Sequence, residues 1–252
     1  MTFNESSSLP GTGEQRPVSV LTWLLMATLA AVGAALLYLA GLFVMVLWYN
    51  KVNPGSSAIM QQTLATLRQT SPEARLEHSW VDYENISINL KRAVIASEDA
   101  RFFDHTGVEW EAIRKAWEYN RQQAQQGRNR MRGGSTITQQ LAKNLFLSNE
   151  RSYIRKGQEL IITYMIELVM SKQRILELYL NLAQWGNDIF GAEAAAENYF
   201  KTTADRLTTS QAARLAAMLP NPAYYQQKGT TVFLASRTRT IQQRMRLVSI
   251  PE

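Results

Sequence analysis

The feature that most constrains this chain is a run of 34 residues, from Pro17 to Asn50, that contains no charged side chain. Within it lies the segment TWLLMATLAAVGAALLYLAGLFVMVLW. A helix needs about 20 apolar residues to cross the hydrocarbon core of a bilayer, so this run is long enough to span it. Trp23 near one end, and Trp48 and Tyr49 at the other, suit the two membrane–water interfaces.

Two other interpretations of this run are a cleaved signal peptide and a buried core helix. A signal peptide has a positively charged start and an apolar stretch of about 7–15 residues. Here the first 16 residues contain Glu5 and Glu14 against Arg16 alone, and the apolar stretch is far longer. We therefore predict a retained transmembrane helix over residues 17–50, preceded by a disordered tail over residues 1–16.

The rest of the chain is predicted to be mainly helical, with a linker and leading helix over residues 51–78 and a soluble domain over residues 79–252. Strand signals are weak, and residues 79–90 are the best candidate for an irregular or extended piece. Apolar residues spaced i, i+3 and i+4 predict helices at 108–126, 150–172, 171–185, 192–200, 209–219 and 232–248.

Two of these helices carry residues with two interpretations. Trp110, Ile113 and Trp117 share one helix face, for which packing in the core is favoured and contact with the bilayer surface is the alternative. The last helix carries four arginines, for which a solvated face is favoured and proximity to anionic lipid is the alternative: Arg237, Arg239, Arg244 and Arg246.

Positive charge is concentrated in one window of the soluble part. Residues 51–252 contain 26 lysines and arginines against 19 acidic residues, a net charge of +7. The window 121–156 contains eight cations against Glu150 and by itself also carries a net charge of +7. Such a patch predicts an anionic partner, which could be nucleic acid, a lipid surface or a phosphorylated ligand. The absence of cysteine excludes disulfides and thiolate metal sites.

The segment AVIASEDARFFDHTG, residues 93–107, brings carboxylates to the end of an apolar helix. Glu98 stands at that end, beside Asp99, and a carboxylate so placed can act as a general base. A Glu–Asp pair at a helix end is more often simply solvated, and that alternative stays open. His105 is expected to form a hydrogen bond, because the chain's two histidines lack metal-ligand spacing.

The segment RGGSTITQQLAKNLF, residues 132–146, is rich in hydrogen-bonding side chains. Gly133–Gly134 is expected to let the backbone approach a ligand, and Ser135 or Thr136 to cap the helix that follows. The N-terminus of that helix would offer free N–H groups to an anion, and Gln140 and Lys143 would share a face. The alternative is a capped helix with a polar face. It is not a nucleotide P-loop, because the G-x-x-x-x-G-K-[ST] order is absent.

A polar stripe runs along the apolar segment RKGQELIITYMIELVM, residues 155–170. Its members fall at four-residue steps and must face water, salt-bridge partners or a site: Arg155, Glu159, Thr163 and Glu167. Glu98 and Glu159 are therefore candidates for a working pair of carboxylates, which sugar-transfer chemistry often uses. The sequence does not show that these two residues meet.

Five segments occur in an order that resembles the conserved blocks of the family 51 glycosyltransferases, the peptidoglycan polymerases: SEDARFFDHTG, RGGSTITQQLAKNLF, RKGQEL, RILELYLNLAQWG and GAEAAAENYF. The resemblance covers about residues 80–222, and its second block is highly specific. It implies a lysozyme-like α-helical glycosyltransferase domain. Length and a single anchor are typical of monofunctional members, and the absence of any Ser-x-x-Lys sequence excludes the acylation chemistry of a transpeptidase.

The resemblance implies that lipid II, a disaccharide-pentapeptide on undecaprenyl pyrophosphate, is polymerised into β-1,4-linked glycan with inversion and release of undecaprenyl pyrophosphate. By block position, Glu98 corresponds to the general base and Glu159 to the second catalytic glutamate. The residues implied to bind the donor pyrophosphate or to lie beside it are Ser135, Gln140, Lys143, Arg151, Arg155 and Lys156. One departure is Gln158, which stands where many relatives carry lysine.

The same resemblance implies a single-pass protein of the bacterial inner membrane with its catalytic domain in the periplasm. The implied partners are lipid II, the growing glycan strand and the membrane, with the cell-wall synthesis machinery as a further candidate and nucleic acid no longer expected. Some family members use Mg²⁺ or Mn²⁺, but nothing in this sequence requires a metal.

Two rival functions remain. A membrane-anchored hydrolase of lysozyme type would share the fold and a catalytic glutamate. It would leave the basic window without a partner, because neutral glycan carries no pyrophosphate. A non-enzymatic scaffold that binds anionic lipid through the same window would tolerate the substitution Glu98→Gln.

Overall fold

The structure is a computed structural model that describes residues 19–128, 133–150 and 152–251, so the predicted tail over residues 1–16 lies outside the described residues. The described chain is mainly helical, as predicted. Its α-helices are α1 (Val20–Tyr49), α2 (Ala58–Thr70), α3 (Ile88–Glu98), α4 (Trp110–Gln125), α5 (Ile137–Phe146), α6 (Tyr153–Val169), α7 (Lys172–Leu182), α8 (Ala192–Phe200), α9 (Thr209–Met218), α10 (Pro222–Lys228) and α11 (Val232–Arg244). Two strands of two residues each, β1 (Glu77–His78) and β2 (Ile189–Phe190), pair in parallel.

Helix α1 is, within the described ranges, the helix that is long and apolar enough to cross a membrane. Its 30 residues, at about 1.5 Å each, exceed the hydrocarbon core of a bilayer, which is about 30 Å thick. Only 11% of its most apolar window is buried, whereas the helix of a protein core would be mostly buried. The chain divides into two compact units, Met1–Leu42 and Phe43–Glu252, and every site discussed below lies in the second.

The second unit has a core in which two helices are central. Helix α3 packs against α9 and α11, and α5 packs against α2, α6 and α7. The contact of α3 with α9 is close because α9 presents small buried residues, including Ala212, Ala213 and Ala216. The two central helices are the ones that carry Glu98 at the end of α3 and Gln140 and Lys143 on α5.

Side-chain caps fix where several helices begin. A capping box of Thr208 and Gln211 opens α9, as the sequence predicted, and Thr136 forms a second capping box at the start of α5. Helix α9 ends at Met218, just before Pro220, and Pro222 occupies the first turn of α10. Proline is tolerated there because the first N–H groups of a helix have no intrahelical acceptor.

Two predictions about local structure need correction. Residues 79–82 are irregular, as predicted, but the predicted irregular or extended piece does not reach residue 90. Helix α3 already begins at Ile88, where the Ser87 side chain caps it by accepting from Asn89 N–H. Trp110 and Trp117 are each 61% exposed, so packing in the core is the wrong interpretation for both. The reason is that α4 faces the domain through small groups, since a Cβ on Gly134 would lie only 3.0 Å from the Ile113 backbone.

Candidate active site

Glu98 is the last residue of α3, and its side chain is 13% exposed. Both carboxylate oxygens accept hydrogen bonds from protein side chains. The hydroxyl of Ser97 donates to Oε1 over 2.9 Å, and Nε2 of Gln140 donates to Oε2 over 3.1 Å. The carboxylate therefore has a fixed direction while part of it remains accessible, which is the geometry that a positioned proton acceptor needs.

Gln140 lies on the accessible side of α5. Most of that helix is buried, and the residues of α5 that remain partly exposed are Gln140, Lys143, Asn144 and Phe146. The other end of the Gln140 amide accepts a hydrogen bond of 2.9 Å from the hydroxyl of Tyr179, a fully buried residue of α7. Burial raises the pKa of Tyr179 well above its ordinary value of 10.0, and the nearby carboxylates of Glu98 and Asp99 raise it further.

A second pair of residues holds the other oxygen of Glu98. Arg237, on α11, donates from Nη2 to the Ser97 hydroxyl over 3.1 Å, and the same nitrogen lies 3.6 Å from Oε1 of Glu98. The arginine side chain is 32% exposed, so the solvated face expected for it from the sequence is wrong. Arg237 instead joins the C-terminal helix α11 to the end of α3.

The neighbouring carboxylate, Asp99, fixes the start of α5. It is 5% exposed and accepts the backbone N–H of Ile137 over 3.0 Å and a hydrogen bond from His105 Nε2 over 2.9 Å. The other ring nitrogen of His105 accepts the N–H of Gly107 over 3.2 Å, so the ring carries its proton on Nε2. His105 therefore forms hydrogen bonds, as predicted.

These contacts correct the expected role of the α5 N-terminus. The N–H groups of Ile137 and Gln139 are not free for an anion, because Asp99 and Thr136 already accept them. The backbone at Gly134 approaches α4 closely, whereas the space beside Gly133 is open, so the expected approach to a ligand stays a prediction. Thr136 is the residue that caps the helix, and Ser135 is left exposed beside the cations of α6.

The carboxylate of Glu159 lies in a cluster of cations. Its side chain is 4% exposed, and Arg155 Nη1 donates to Oε2 over 2.8 Å while Lys156 Nζ pairs with Oε1. Lys156 also donates to the Ser135 hydroxyl over 3.2 Å, which joins the first turns of α6 to the segment before α5. Glu159 thus faces salt-bridge partners, one of the environments predicted for the polar stripe.

The rest of the stripe packs against α5. Thr163 is fully buried and donates to the carbonyl oxygen of Glu159, while Glu167 accepts from Thr138 over 2.5 Å and from Lys172 over 2.8 Å. Salt-bridge and hydrogen-bond partners therefore account for every member of the stripe. Only its first turns, at Arg155 and Glu159, belong to the cation cluster beside α5.

Lys143 is the unusual cation of this region. Among the described residues its ammonium group has no hydrogen bond or ion pair, although the side chain is only partly exposed. Burial lowers the pKa of Lys143, and Arg155 and Lys156 lower it too, whereas Glu159 opposes the shift. An unpaired ammonium beside two further cations forms a site with excess positive charge, ready for an anion.

Helix α5 connects the two carboxylates. Gln140 bonds Glu98, and Lys143, one turn further on, is close enough to Glu159 for that charge to affect its pKa. Of the residues predicted from the sequence, the structure brings the following into this region: Glu98, Gln140, Lys143, Ser135, Arg155, Lys156 and Glu159. Arg151 lies outside the described residues. Sequence reasoning missed Ser97, Tyr179 and Arg237.

The described residues do not fit a resident metal ion. No three side chains of His, Cys, Asp and Glu gather there as a metal site requires. Both oxygens of Glu159 are occupied by Arg155 and Lys156, so a divalent cation would have to displace one of them. The protein's own cations are therefore the groups available to meet an anion.

The helical domain holds a directed carboxylate at the end of α3 and a cluster of cations on α5 and α6, an arrangement that suits a glycosyltransferase acting on a donor with an anionic leaving group. The sequence model described as Transglycosylase matches residues 60–246 of this chain. The chain therefore belongs to the transglycosylase family.

Several relatives are similar over almost their whole length. The Biosynthetic peptidoglycan transglycosylase of Bordetella pertussis is 62% identical over 232 residues, which is 92% of this chain and 95% of the relative. The proteins of the same name from Janthinobacterium sp. and Methylobacillus flagellatus are each 50% identical, over 92% and 88% of this chain and 97% and 96% of their own lengths.

Proposed function

We propose that this enzyme polymerises peptidoglycan by joining lipid II units into β-1,4-linked glycan and releasing undecaprenyl pyrophosphate. The observation that carries the proposal is that α5 brings two groups together. Its Gln140 holds the carboxylate of Glu98, and the ammonium of its Lys143, one turn further on, has no ion pair among the described residues. The first suits a sugar hydroxyl and the second suits a pyrophosphate. The names of the relatives, each a biosynthetic peptidoglycan transglycosylase, support the same chemistry.

Glu98 is the general base of the proposed reaction. It takes the proton from the 4-hydroxyl of the acceptor sugar as that oxygen attacks the anomeric carbon of the donor. The donor is the growing strand, and its bond to the pyrophosphate oxygen breaks as the new glycosidic bond forms. One direct displacement inverts the α-linked donor into a β-linked product.

Lys143 is the proposed first contact of the donor pyrophosphate, with Arg151 assigned to the same role by the family resemblance. Three cations, Lys143, Arg155 and Lys156, surround the single carboxylate of Glu159, so the cluster is net positive. Fixed cations stabilise the charge that develops on a leaving phosphate. Glu159 is accordingly a residue that holds Arg155 and Lys156 in place, with no need to donate a proton.

The proposed location is the bacterial inner membrane, with α1 as the anchor and the second unit in the periplasm. A substrate with a polyprenyl tail stays in the bilayer, so the enzyme must work at the surface of the membrane. The exposed indoles of Trp110 and Trp117 support contact with that surface, because tryptophan favours the membrane–water interface. Partners in the cell-wall synthesis machinery remain a prediction.

The test is polymerisation by the purified full-length protein in detergent with lipid II as the only substrate. We expect long uncrosslinked glycan from the wild type, and a loss of at least about 100-fold for Glu98→Gln with lipid II still bound. Asp104→Asn is the matched control, because it removes one charge from an exposed carboxylate in the turn just after α3 and should leave the rate unchanged.

Each rival function predicts a different result in the same assay. Shortening of preformed glycan without consumption of lipid II would support the hydrolase. Binding of lipid II without any product, equal in the wild type and in Glu98→Gln, would support the scaffold. Either result would refute the proposed polymerase.

A further inference from the structure

We infer that Arg237, on the C-terminal helix α11, is a positioning residue for the catalytic carboxylate and acts on it through Ser97. The inference rests on the proposed function of Glu98 as general base. It extends the site to a residue beyond the five segments that resemble the family blocks, since the last of them ends at Phe200.

The geometry is a chain of two hydrogen bonds that ends on Glu98. Nη2 of Arg237 donates to the Ser97 oxygen over 3.1 Å, and the Ser97 hydroxyl donates to Oε1 of Glu98 over 2.9 Å. A serine hydroxyl has a single proton, and the carbonyl oxygen of Ala216, at 3.4 Å, is a second acceptor within its reach. The charged Arg237 donor polarises the Ser97 hydroxyl and so strengthens its hydrogen bond to Glu98, the nearer of the two acceptors.

The cost of placing Arg237 here argues against a purely structural role. Its Nε is buried and, within the described part of the chain, has no hydrogen-bond partner. A buried donor without a partner is unfavourable, so packing alone does not account for an arginine at this position. The position is indeed an apolar one, since Arg237 lies three residues after Leu234 and four before Ile241, both of which are buried.

Helix α11 is held in a way that keeps the guanidinium in place. It packs on α9 and α3, and α9 also supplies Ala216, the competing acceptor for Ser97. The charge of Arg237 also acts on Tyr225, a buried residue of α10, where it partly opposes the burial that raises the pKa of that phenol. Helices α9 and α11 lie more than a hundred residues after α3 in the sequence. In the fold they pack against α3, and Arg237 contacts its C-terminal end.

The experiment measures kcat and KM for lipid II polymerisation by the full-length protein in detergent. For Arg237→Gln we expect kcat to fall about 10- to 100-fold, with KM changed less than about 2-fold, because binding is intact while the base is misdirected. Arg237→Lys should recover part of kcat, since an ammonium can still donate to Ser97. The matched control is Arg239→Gln, which makes the same charge change at an exposed position of the same helix and should retain the wild-type kcat.

Ser97→Ala and the double variant test the chain itself. Ser97→Ala should lower kcat to a similar extent, and the double variant should lose no more than the more damaging single variant, because both interrupt one path. If the fold-losses in kcat of the two single variants multiply in the double variant, the inference is overturned. A wild-type kcat for Ser97→Ala would also overturn it. Ser97→Ala therefore decides the question even if Arg237→Gln does not fold. If neither the wild type nor Arg239→Gln polymerises lipid II, the proposed polymerase function is refuted. If all variants polymerise it at the same rate, only the role of Arg237 is refuted.

Discussion

Tyr179 fixes the direction in which the side-chain amide of Gln140 points. An ionised carboxylate only accepts hydrogen bonds, so the amide nitrogen must face Glu98 and the amide oxygen must face the phenol. The phenol is a donor at neutral pH, and burial, which raises its pKa well above 10.0, extends that protonated state to more alkaline pH. The nitrogen that Glu98 accepts from is therefore set by a residue in the core and not by the substrate.

The first prediction concerns Tyr179→Phe. The amide of Gln140 would lose the partner of its oxygen, so we expect kcat to fall about 10-fold with little change in KM. Loss of this hydrogen bond should also lower the free energy of unfolding by about 1 kcal/mol. Steady-state kinetics and chemical unfolding of the detergent-solubilised protein measure the two effects.

Tyr199→Phe is the control for this variant. It removes a phenol that donates to the Trp185 carbonyl over 2.8 Å, and Tyr199 makes no contact with Gln140 or Glu98. We expect a similar loss of stability and no loss of kcat. Equal kinetic losses in both variants would show that the Tyr179 effect is general destabilisation.

The second prediction is that Lys143→Met stabilises the protein while it removes polymerisation. Methionine has nearly the length of lysine without a charge, and in the wild type that charge is partly buried and has no ion pair within the described part of the chain. We expect the melting temperature at pH 7 to rise by about 2–4 °C, the shift that corresponds to about 1 kcal/mol in a domain of this size. Polymerisation should fall at least about 100-fold because the donor pyrophosphate loses its cation.

The same variant should show a defined dependence on pH. Since the pKa of Lys143 is lowered by folding, the unfolded chain binds the proton more tightly between the folded pKa and 10.5. The wild type therefore gains stability as pH rises through that window, and the advantage of Lys143→Met should shrink there. Lys228→Met, at an exposed lysine, is the matched control for removal of one positive charge. A constant difference between pH 7 and 10 would contradict the assigned cause.

Features that depend on residues close together in the sequence could be predicted. They are the membrane-length helix, the capping box of Thr208 and Gln211, and the ion pair of Glu159 with Arg155 one helical turn away. Trp110 and Trp117 were misplaced because a helical repeat of large residues indicates one face without showing which face is buried. Arg237 was missed for the opposite reason, since a cation within an apolar repeat looks like a solvated residue until α3 is packed against α11.

The third prediction concerns Asp99→Asn. One oxygen becomes an amide N–H that would face either Ile137 N–H or the proton on His105, and two donors cannot bond each other. We expect a loss of about 2–3 kcal/mol in the free energy of unfolding and a lower polymerisation rate, since the start of α5 would shift with Gln140. Asp104→Asn, at an exposed position, serves as the control for both measurements. Unchanged stability would mean that Asp99 does not hold α5.

The fourth prediction separates strain from crowding at Gly107. Its φ is +89°, and an added Cβ would lie 2.7 Å from Cγ2 of Thr163 and 2.9 Å from Cγ of Glu167. Gly107→Ala should therefore cost the penalty of a left-handed backbone, about 1 kcal/mol, and a further overpacking cost of about 1–3 kcal/mol.

Gly127→Ala isolates the first of these two costs. Its φ is +65°, and no described atom would lie within 4 Å of the new Cβ. Chemical unfolding should place Gly107→Ala well below Gly127→Ala in stability. The polymerisation rate should also fall only in Gly107→Ala, because Thr136, which caps α5, donates to the Gly107 carbonyl over 2.5 Å. Equal losses in both variants would show that the backbone alone sets the cost and that the contact with α6 relaxes freely.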